Sequence, residues 1–209
     1  MEKDETTPCS NLPAHLLNPV DHTIYKLCDT CLTPAFKYLN VSANWITVLG
    51  MLLGLFGAYM LCQGQIWGFW LCMSAYWIMD SLDGCYARKY KCTSRLGSYL
   101  DPLVDVTVGG IILWTAWSRY GSHTLLRWPW VVVVLFVLLS TCLYYACVDA
   151  YQGKDQAHVH PWYRIPFIRR FCQHNTQKKL RVLRWFTGYT YILIMVLAMA
   201  WLEKNRRER

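Results

Sequence analysis

Charge is scarce in this 209-residue sequence: 16% of its residues are Asp, Glu, Lys or Arg, against 55% hydrophobic. Soluble globular domains carry about 25% charged residues, so a water-facing surface over the whole chain is excluded. An apolar leader is also missing. The start, MEKDETTPCS, is polar, and the first long apolar run begins near Trp45. The expectation is no secretory signal and a first span that acts as an internal anchor. The ten cysteines follow no metal or disulfide spacing. Cys62, Cys72, Cys142 and Cys147 lie in apolar runs, where a thiol behaves as a small hydrophobe. Cys28 and Cys31 make one C-x-x-C, with neither the second ligand pair of a zinc site nor the βαβ setting of a redox site. A reduced, cytosol-facing protein is expected.

What the sequence has in quantity is aromatic and apolar. The 11 Trp and 14 Tyr match the enrichment seen at membrane interfaces. The length suits one domain. The formal net charge is +8, and the basic residues gather in loops beside apolar runs. Anionic lipid headgroups and phosphate-bearing substrates fit that pattern better than nucleic acid.

A membrane helix needs about 20 mostly apolar residues. Five segments qualify, at about 45–63, 66–88, 97–118, 128–149 and 184–203. The predicted fold is an all-α integral membrane bundle of five to six transmembrane helices, preceded by an interfacial amphipathic helix. Residues 1–20 read as a polar, mobile tail. Residues 21–42 read as the amphipathic helix, because Ile24, Leu27, Cys28, Cys31, Leu32, Phe36 and Leu39 recur at helical spacing. Thr33-Pro34 restarts or kinks it. The membrane domain runs over 43–203 and a basic tail over 204–209. Gly50 and Gly54 form a G-x-x-x-G, which is either a helix-packing face or ordinary glycine enrichment in a span. The segment HPWYRIPFIRRFCQHN is too charged to span and suits a helix lying in the interface.

Lys and Arg set the orientation. Arg88, Lys89, Lys91 and Arg95 follow the second span, and eight basic residues between Lys154 and Arg184 follow the fourth. The loop after the first span, QGQ, has no positive charge, and the loop after the third has only Arg119 and Arg127. Both basic loops lie on one side, which is therefore cytosolic. The basic end KNRRER conflicts with a count of five, which leaves it on the opposite side. The segment 164–184 reads as a solvated, lipid-contacting face more readily than as a site for a phosphorylated acceptor. His158 and His160 read as a solvated pair.

The stretch MDSLDGCYARKYKCTSRLGSYLDPLVD places four carboxylates at the edge of two spans. Asp80, Asp83, Gly84, Ala87 and Arg88 are spaced by three and four, so they share a helix face. Ser94, Gly97, Asp101 and Asp105 form a like stripe on the next helix. A short connection makes the helices antiparallel neighbours, with both stripes facing one cleft. A carboxylate at the centre of a span costs about 2.5–3.5 kcal/mol. Helix capping accounts for one or two such acids, and ion pairing with Arg88 and Arg95 leaves acids over. Divalent cations remove the penalty and the mutual repulsion together. An all-oxygen site without His or Cys favours Mg²⁺ or Mn²⁺ over zinc, and two such ions would clamp a phosphoryl transfer. Gly84, Ala87 and Gly97 leave room for a ligand against the backbone, and Arg88 and Ser94 are donors suited to phosphate oxygens.

These residues match D-x2-D-G-x2-A-R-x8-G-x3-D-x3-D at every fixed position. The sequence thereby resembles the CDP-alcohol phosphotransferases, and eight fixed residues with fixed gaps are a specific signal. NWIT, Asn44 to Thr47, resembles the family's P-N-x-[IL]-T, with Ala43 in place of the usual proline. The resemblance implies transfer of a phosphoalcohol group, phosphatidyl or phospho-aminoalcohol, from a CDP-linked donor to a lipid or polar alcohol hydroxyl, with release of CMP. It implies two Mg²⁺ or Mn²⁺ ions on Asp80, Asp83, Asp101 and Asp105, with Asp105 also the catalytic base. It implies donor-nucleotide contacts at Gly84, Ala87, Arg88, Ser94, Gly97, Asn44 and Thr47. The resemblance also implies a homodimer, while the basic loops imply membrane-lipid contacts and a cytosol-facing site, in an endoplasmic-reticulum-type membrane if the source is eukaryotic.

The acceptor stays open. Gly50 leans towards choline- or ethanolamine-type enzymes, while LDPLVD resembles the glycerophosphate and cardiolipin branch. The alternative function is a catalytically silent scaffold, or a divalent-cation carrier of the same fold. A carrier spreads its acids through the bilayer depth, whereas here they cluster on one side.

Overall fold

The computed structural model describes residues 9–10, 12–120, 124–153, 161–186 and 189–207. Most of the expected tail before Cys9, together with Lys154, His158, His160 and the last two residues, lies outside them. Among the described residues the chain is helical, with no strand. The helices are α1 (Pro19–Leu27), α2 (Thr33–Tyr38), α3 (Ala43–Cys62), α4 (Ile66–Lys89), α5 (Arg95–Tyr120), α6 (Thr124–Gln152), α7 (Pro166–Gln173), α8 (Thr176–Leu183) and α9 (Tyr189–Arg207).

The first connections are short because each helix stops on one left-handed residue. Asn40 ends α2 at φ 55°, Gly64 ends α3 at φ 75°, and Lys91 ends α4 at φ 52°. At each stop the following N–H reaches back five residues: Val41 to Phe36 O, Gln65 to Met60 O, Cys92 to Ala87 O. The left-handed residue itself bonds back three, to Lys37, Leu61 and Arg88. This is the Schellman arrangement, which satisfies the last carbonyls while reversing the chain. It lays α3, α4 and α5 side by side.

Glycine sets how closely they pack. Gly50, Gly54 and Gly57 are buried on α3. A Cβ on Gly54 would lie 2.6 Å from Val108 of α5, and one on Gly50 would lie 3.3 Å from the Cβ of Met79 on α4. Both glycines of the G-x-x-x-G therefore serve a packing face. Around this contact a core forms from Ala58, Leu61, Phe69, Met73, Tyr76, Val104, Val108, Ile112 and Ala116, closed by Val196 and Met199 of α9.

The outward faces are apolar. Leu52, Phe56, Trp67, Leu71, Val106 and Trp114 are all more than half exposed. α3 and the segment Tyr99–Arg119 are long and apolar enough to cross a membrane, with mean hydropathies of 1.9 and 1.2. Apolar helices that show apolar side chains outward are those of a helical membrane protein.

α1, a wider π turn over Cys28–Leu32, and α2 form one kinked unit, restarted at Thr33-Pro34. Its apolar stripe divides. Ile24, Cys28, Leu32 and Phe36 pack with Ile46, Leu82 and Cys85, while Leu27, Cys31 and Leu39 face outward. The wider turn offsets the drift that a strict spacing of four accumulates on a 3.6-residue helix. The unit is thus docked on α4 along one face and carries a second apolar edge.

Two expectations need correction. A mobile tail does not describe residues 9, 10 and 12–18: Cys9, Leu12, Leu16, Leu17 and Asn18 are buried. Asn18 caps α1 through Val20 N–H, and its amide donates to Arg184 O at 3.0 Å and Thr190 Oγ1 at 2.8 Å. The cysteines are not all reduced either. Cys9 is paired with Cys85, and Cys147 with Cys172. Partners 76 and 25 residues apart leave no local spacing signal.

In the second half, Ile168, Cys172 and Leu180 bury against Ala146 and Cys147 of α6. Arg169, Arg170, Lys178 and Arg181 stay exposed.

Candidate active site

The last turns of α4 and the first turns of α5 carry the carboxylates. The structure brings Asp80, Asp101 and Asp105 together, with one carboxylate oxygen from each within 4.8 Å of the others. At that separation two unit charges repel by roughly 3 kcal/mol at an effective dielectric of 20. Three hard oxygen donors converging without a thiolate or imidazole suit a small divalent cation of the Mg²⁺ or Mn²⁺ kind.

Asp83 is arranged differently. It is buried and accepts a 2.5 Å hydrogen bond from Thr47 Oγ1 of α3. It faces the adjoining cleft and stands outside the three-oxygen group. Its hydroxyl partner ties the start of α3 to the motif, so the NWIT stretch and the aspartate stretch form one structure.

The cleft beside the acids holds about 570 Å³ of empty space, open to solvent. Asn44, Thr47, Gly84, Ala87, Arg88, Ser94 and Gly97 all line it, with Asp83 and Asp101 at its acid end. Small residues create the space. A Cβ on Gly97 would press on Asn44 Oδ1 at 3.0 Å and Ser94 Oγ at 3.1 Å. A Cβ on Gly84 would meet the Arg88 guanidinium at 3.2 Å. Ser94 Oγ accepts from Gly97 N–H at 2.9 Å and so caps the start of α5. A second cavity, lined by Lys37, Asn40, Ser42 and Tyr86, shares Asn44, Cys92 and Ser94 with the first and extends it towards α2.

The family profile for CDP-alcohol phosphatidyltransferases matches residues 40–205, which includes every residue of this cleft. The chain belongs to the CDP-alcohol phosphatidyltransferase family. Similar curated proteins include those named CDP-diacylglycerol–serine O-phosphatidyltransferase from Mycobacterium bovis and from two strains of Mycobacterium tuberculosis. Each is 32% identical over 130 residues, which is 60% of this chain and 44% of the relative. The chain thus spans less than half the length of the curated relatives it matches. No solved structure shows a significant match.

For this family member, sequence reasoning missed three contacts. Arg88 donates through Nη2 to the backbone carbonyl of Cys9 at 2.8 Å, and a backbone acceptor leaves no mark on residue identity. Lys89 pairs with Asp29 at 2.7 Å, which fixes the end of α4 to the π turn. Burial there pushes the neighbouring Cys28 thiol up to about 11, so it stays neutral. The third is Tyr76, whose hydroxyl donates to Asp105 Oδ1 at 2.5 Å. Tyr76 continues the 80–83–87 stripe one turn earlier, so its spacing held a usable signal.

Proposed function

We propose that the chain is a phosphotransferase that moves a phosphatidyl or phospho-aminoalcohol group from a CDP-linked donor to an acceptor hydroxyl and releases CMP. One observation carries the reading: seven small or hydrogen-bonding residues line a single cleft that ends on Asp83 and Asp101, beside the Asp80–Asp101–Asp105 group. A ligand that is neutral and extended at one end and a diphosphate at the other fits that order.

The roles follow from chemistry. Asn44, Thr47, Gly84, Ala87 and Gly97 shape the space for the nucleotide, and Arg88 and Ser94 donate to its phosphate oxygens. Asp80, Asp83, Asp101 and Asp105 would hold two Mg²⁺ or Mn²⁺ ions, which when bound neutralise charge on the diphosphate and on departing CMP. The acceptor oxygen attacks the phosphorus that bears the donor's alcohol, the bond to the bridging oxygen breaks, and CMP leaves with that oxygen. The acceptor's proton passes to Asp105. This transfer accompanies formation of the new O–P bond, when the attacking oxygen becomes acidic.

The bundle spans the membrane five or six times, with the cleft on the side where Arg88, Lys89 and Lys91 lie. Among acceptors, serine is the first to test, because the mycobacterial relatives are named for it. The decisive experiment is a CMP-release assay on the purified chain with Mg²⁺ or Mn²⁺. It crosses CDP-diacylglycerol, CDP-choline and CDP-ethanolamine with serine, glycerol phosphate, inositol phosphate and diacylglycerol. CMP from one pair supports the reading. Silence from every pair returns the chain to a scaffold.

A further inference from the structure

Tyr76 sits where three helices meet. It is 7% exposed on α4. Its ring lies against the glycine face of α3: its Cδ2 would be 3.4 Å from a Cβ on Gly54 and 3.8 Å from one on Gly50. It belongs to the same packed core as Val104 and Val108, which flank Asp105 on α5. From this seat its hydroxyl crosses to Asp105 Oδ1 at 2.5 Å.

We propose that Tyr76 is a positioning residue: held by the Gly50–Gly54 face, it fixes the carboxylate of Asp105 towards Asp80 and Asp101. The inference rests on the reaction proposed above for its catalytic consequence, but not for its geometry.

Asp105 is solvent-exposed along its helix, and an exposed Asp has several rotamers at small cost. Two neighbouring carboxylates within 4.8 Å push it away from the group. A donor is therefore needed to hold it in place. A hydroxyl on a flexible side chain would share the disorder. Tyr76 does not, because its ring is buried and backed by backbone.

A buried phenol does need some partner, which is the plainer account of the contact. A backbone carbonyl would meet that need, yet the partner here is a motif acid that also belongs to the three-oxygen group. The bond also consumes one lone pair of Oδ1 and leaves the acceptor capacity of Oδ2 for other use. The G-x-x-x-G of α3 thereby gains a second task. It brings the helices together, and it leaves a slot for the ring that aims Asp105.

The test uses the full chain in detergent or nanodiscs, with Tyr76→Phe, Asp105→Asn and the double variant. Tyr76→Phe keeps the ring and removes only the hydroxyl. We expect an unchanged elution volume and melting temperature, a KM for CDP-diacylglycerol within about twofold, and a kcat lower by about tenfold, the scale of losing a hydrogen bond to a charged group. Mn²⁺ affinity, read by electron paramagnetic resonance without substrate, should weaken by about tenfold, as for loss of an outer contact to a metal ligand. In the Asp105→Asn background Tyr76→Phe should change Mn²⁺ affinity no further.

Wild-type kcat and Mn²⁺ affinity in Tyr76→Phe would overturn the proposal. So would an equal loss of Mn²⁺ affinity with and without the Asp105 carboxylate, or a loss confined to donor KM. A wild-type chain that releases no CMP would sink the proposed reaction instead, and the Mn²⁺ arms would still decide the role of Tyr76.

Discussion

The two halves of the chain solve opposite problems. From Ala43 to Tyr120, α4 and α5 both pack against the glycine face of α3, and their acids converge beside it. From Thr124 to Arg207, α6 packs with the short helices α7 and α8 through Ala146, Cys147, Ile168, Cys172 and Leu180, and basic side chains face outward. The first half holds charge close at an energetic cost. The second spreads charge outward, where it is solvated. The difference teaches that a carboxylate's role follows from its neighbours. Asp149, on α6, is buried, at 1% exposure, and it stands outside the Asp80–Asp101–Asp105 group.

Substitution of single acids tests that contrast most strongly. Asp101→Asn should lower CMP release by about a thousandfold or more, on the scale of losing a charged group that acts in a transition state. Asp105→Asn should abolish turnover while binding of the CDP donor, measured by calorimetry, largely survives. Asp149→Asn should leave turnover within about fivefold, an isosteric change away from the reacting groups. An Asp149 variant as silent as Asp101→Asn would erase the distinction between the halves.

Metal removal comes next. Incubation with EDTA should stop CMP release, and Mg²⁺ or Mn²⁺ should restore it. Full activity in the chelator would remove the cations from the first half's account.

Packing gives a smaller effect. Gly54→Val inserts bulk where a single Cβ already lies 2.6 Å from Val108, and overpacking of this kind costs about 1–3 kcal/mol. Its melting temperature should fall measurably. Gly110, on the same α5, has nothing within 4 Å of an added Cβ, so Gly110→Ala should be neutral or slightly stabilising, by up to about 1 kcal/mol. Equal behaviour of the two variants would remove the glycine face from the explanation.

The two cystines give the smallest and most discriminating comparison. Cys9→Ser should raise donor KM up to about fivefold, because the Cys9 carbonyl that holds Arg88 loses its anchor and one hydrogen bond is worth about 1 kcal/mol. Cys172→Ser, in the second half, should lower the melting temperature and leave donor KM alone. Peptide mapping without reductant should recover both linked pairs.

The sequence exposed the site far better than its surroundings. Fixed gaps of three and four make a helical face readable without coordinates, so Asp80, Asp83, Gly84, Ala87 and Arg88 were legible as one stripe. So was the cleft, since small residues beside acids mark missing volume. The packing of residues 9, 10 and 12–18 was illegible, because polar composition hides Leu12, Leu16 and Leu17 as single contacts. The bond from Arg88 to a carbonyl was illegible for another reason: any residue at position 9 supplies that oxygen. Tyr76 falls between these cases. Its position on the stripe was readable, but the glycine slot that seats it depends on the distance between helices.

Asn18 has a consequence in time. Its amide is held by Arg184 and Thr190, residues made more than 160 positions later. Chains emerge from the ribosome at about 5–20 residues per second, so the beginning of this polypeptide waits roughly ten to thirty seconds for its final anchor. Cys9 finds its seat among Ile24, Ile46, Leu82 and Cys85 long before that, whereas Asn18 has to wait for Arg184 and Thr190. The cleft, lined by residues between Ala43 and Asp101, is therefore encoded well before the N-terminal segment gains its last anchor.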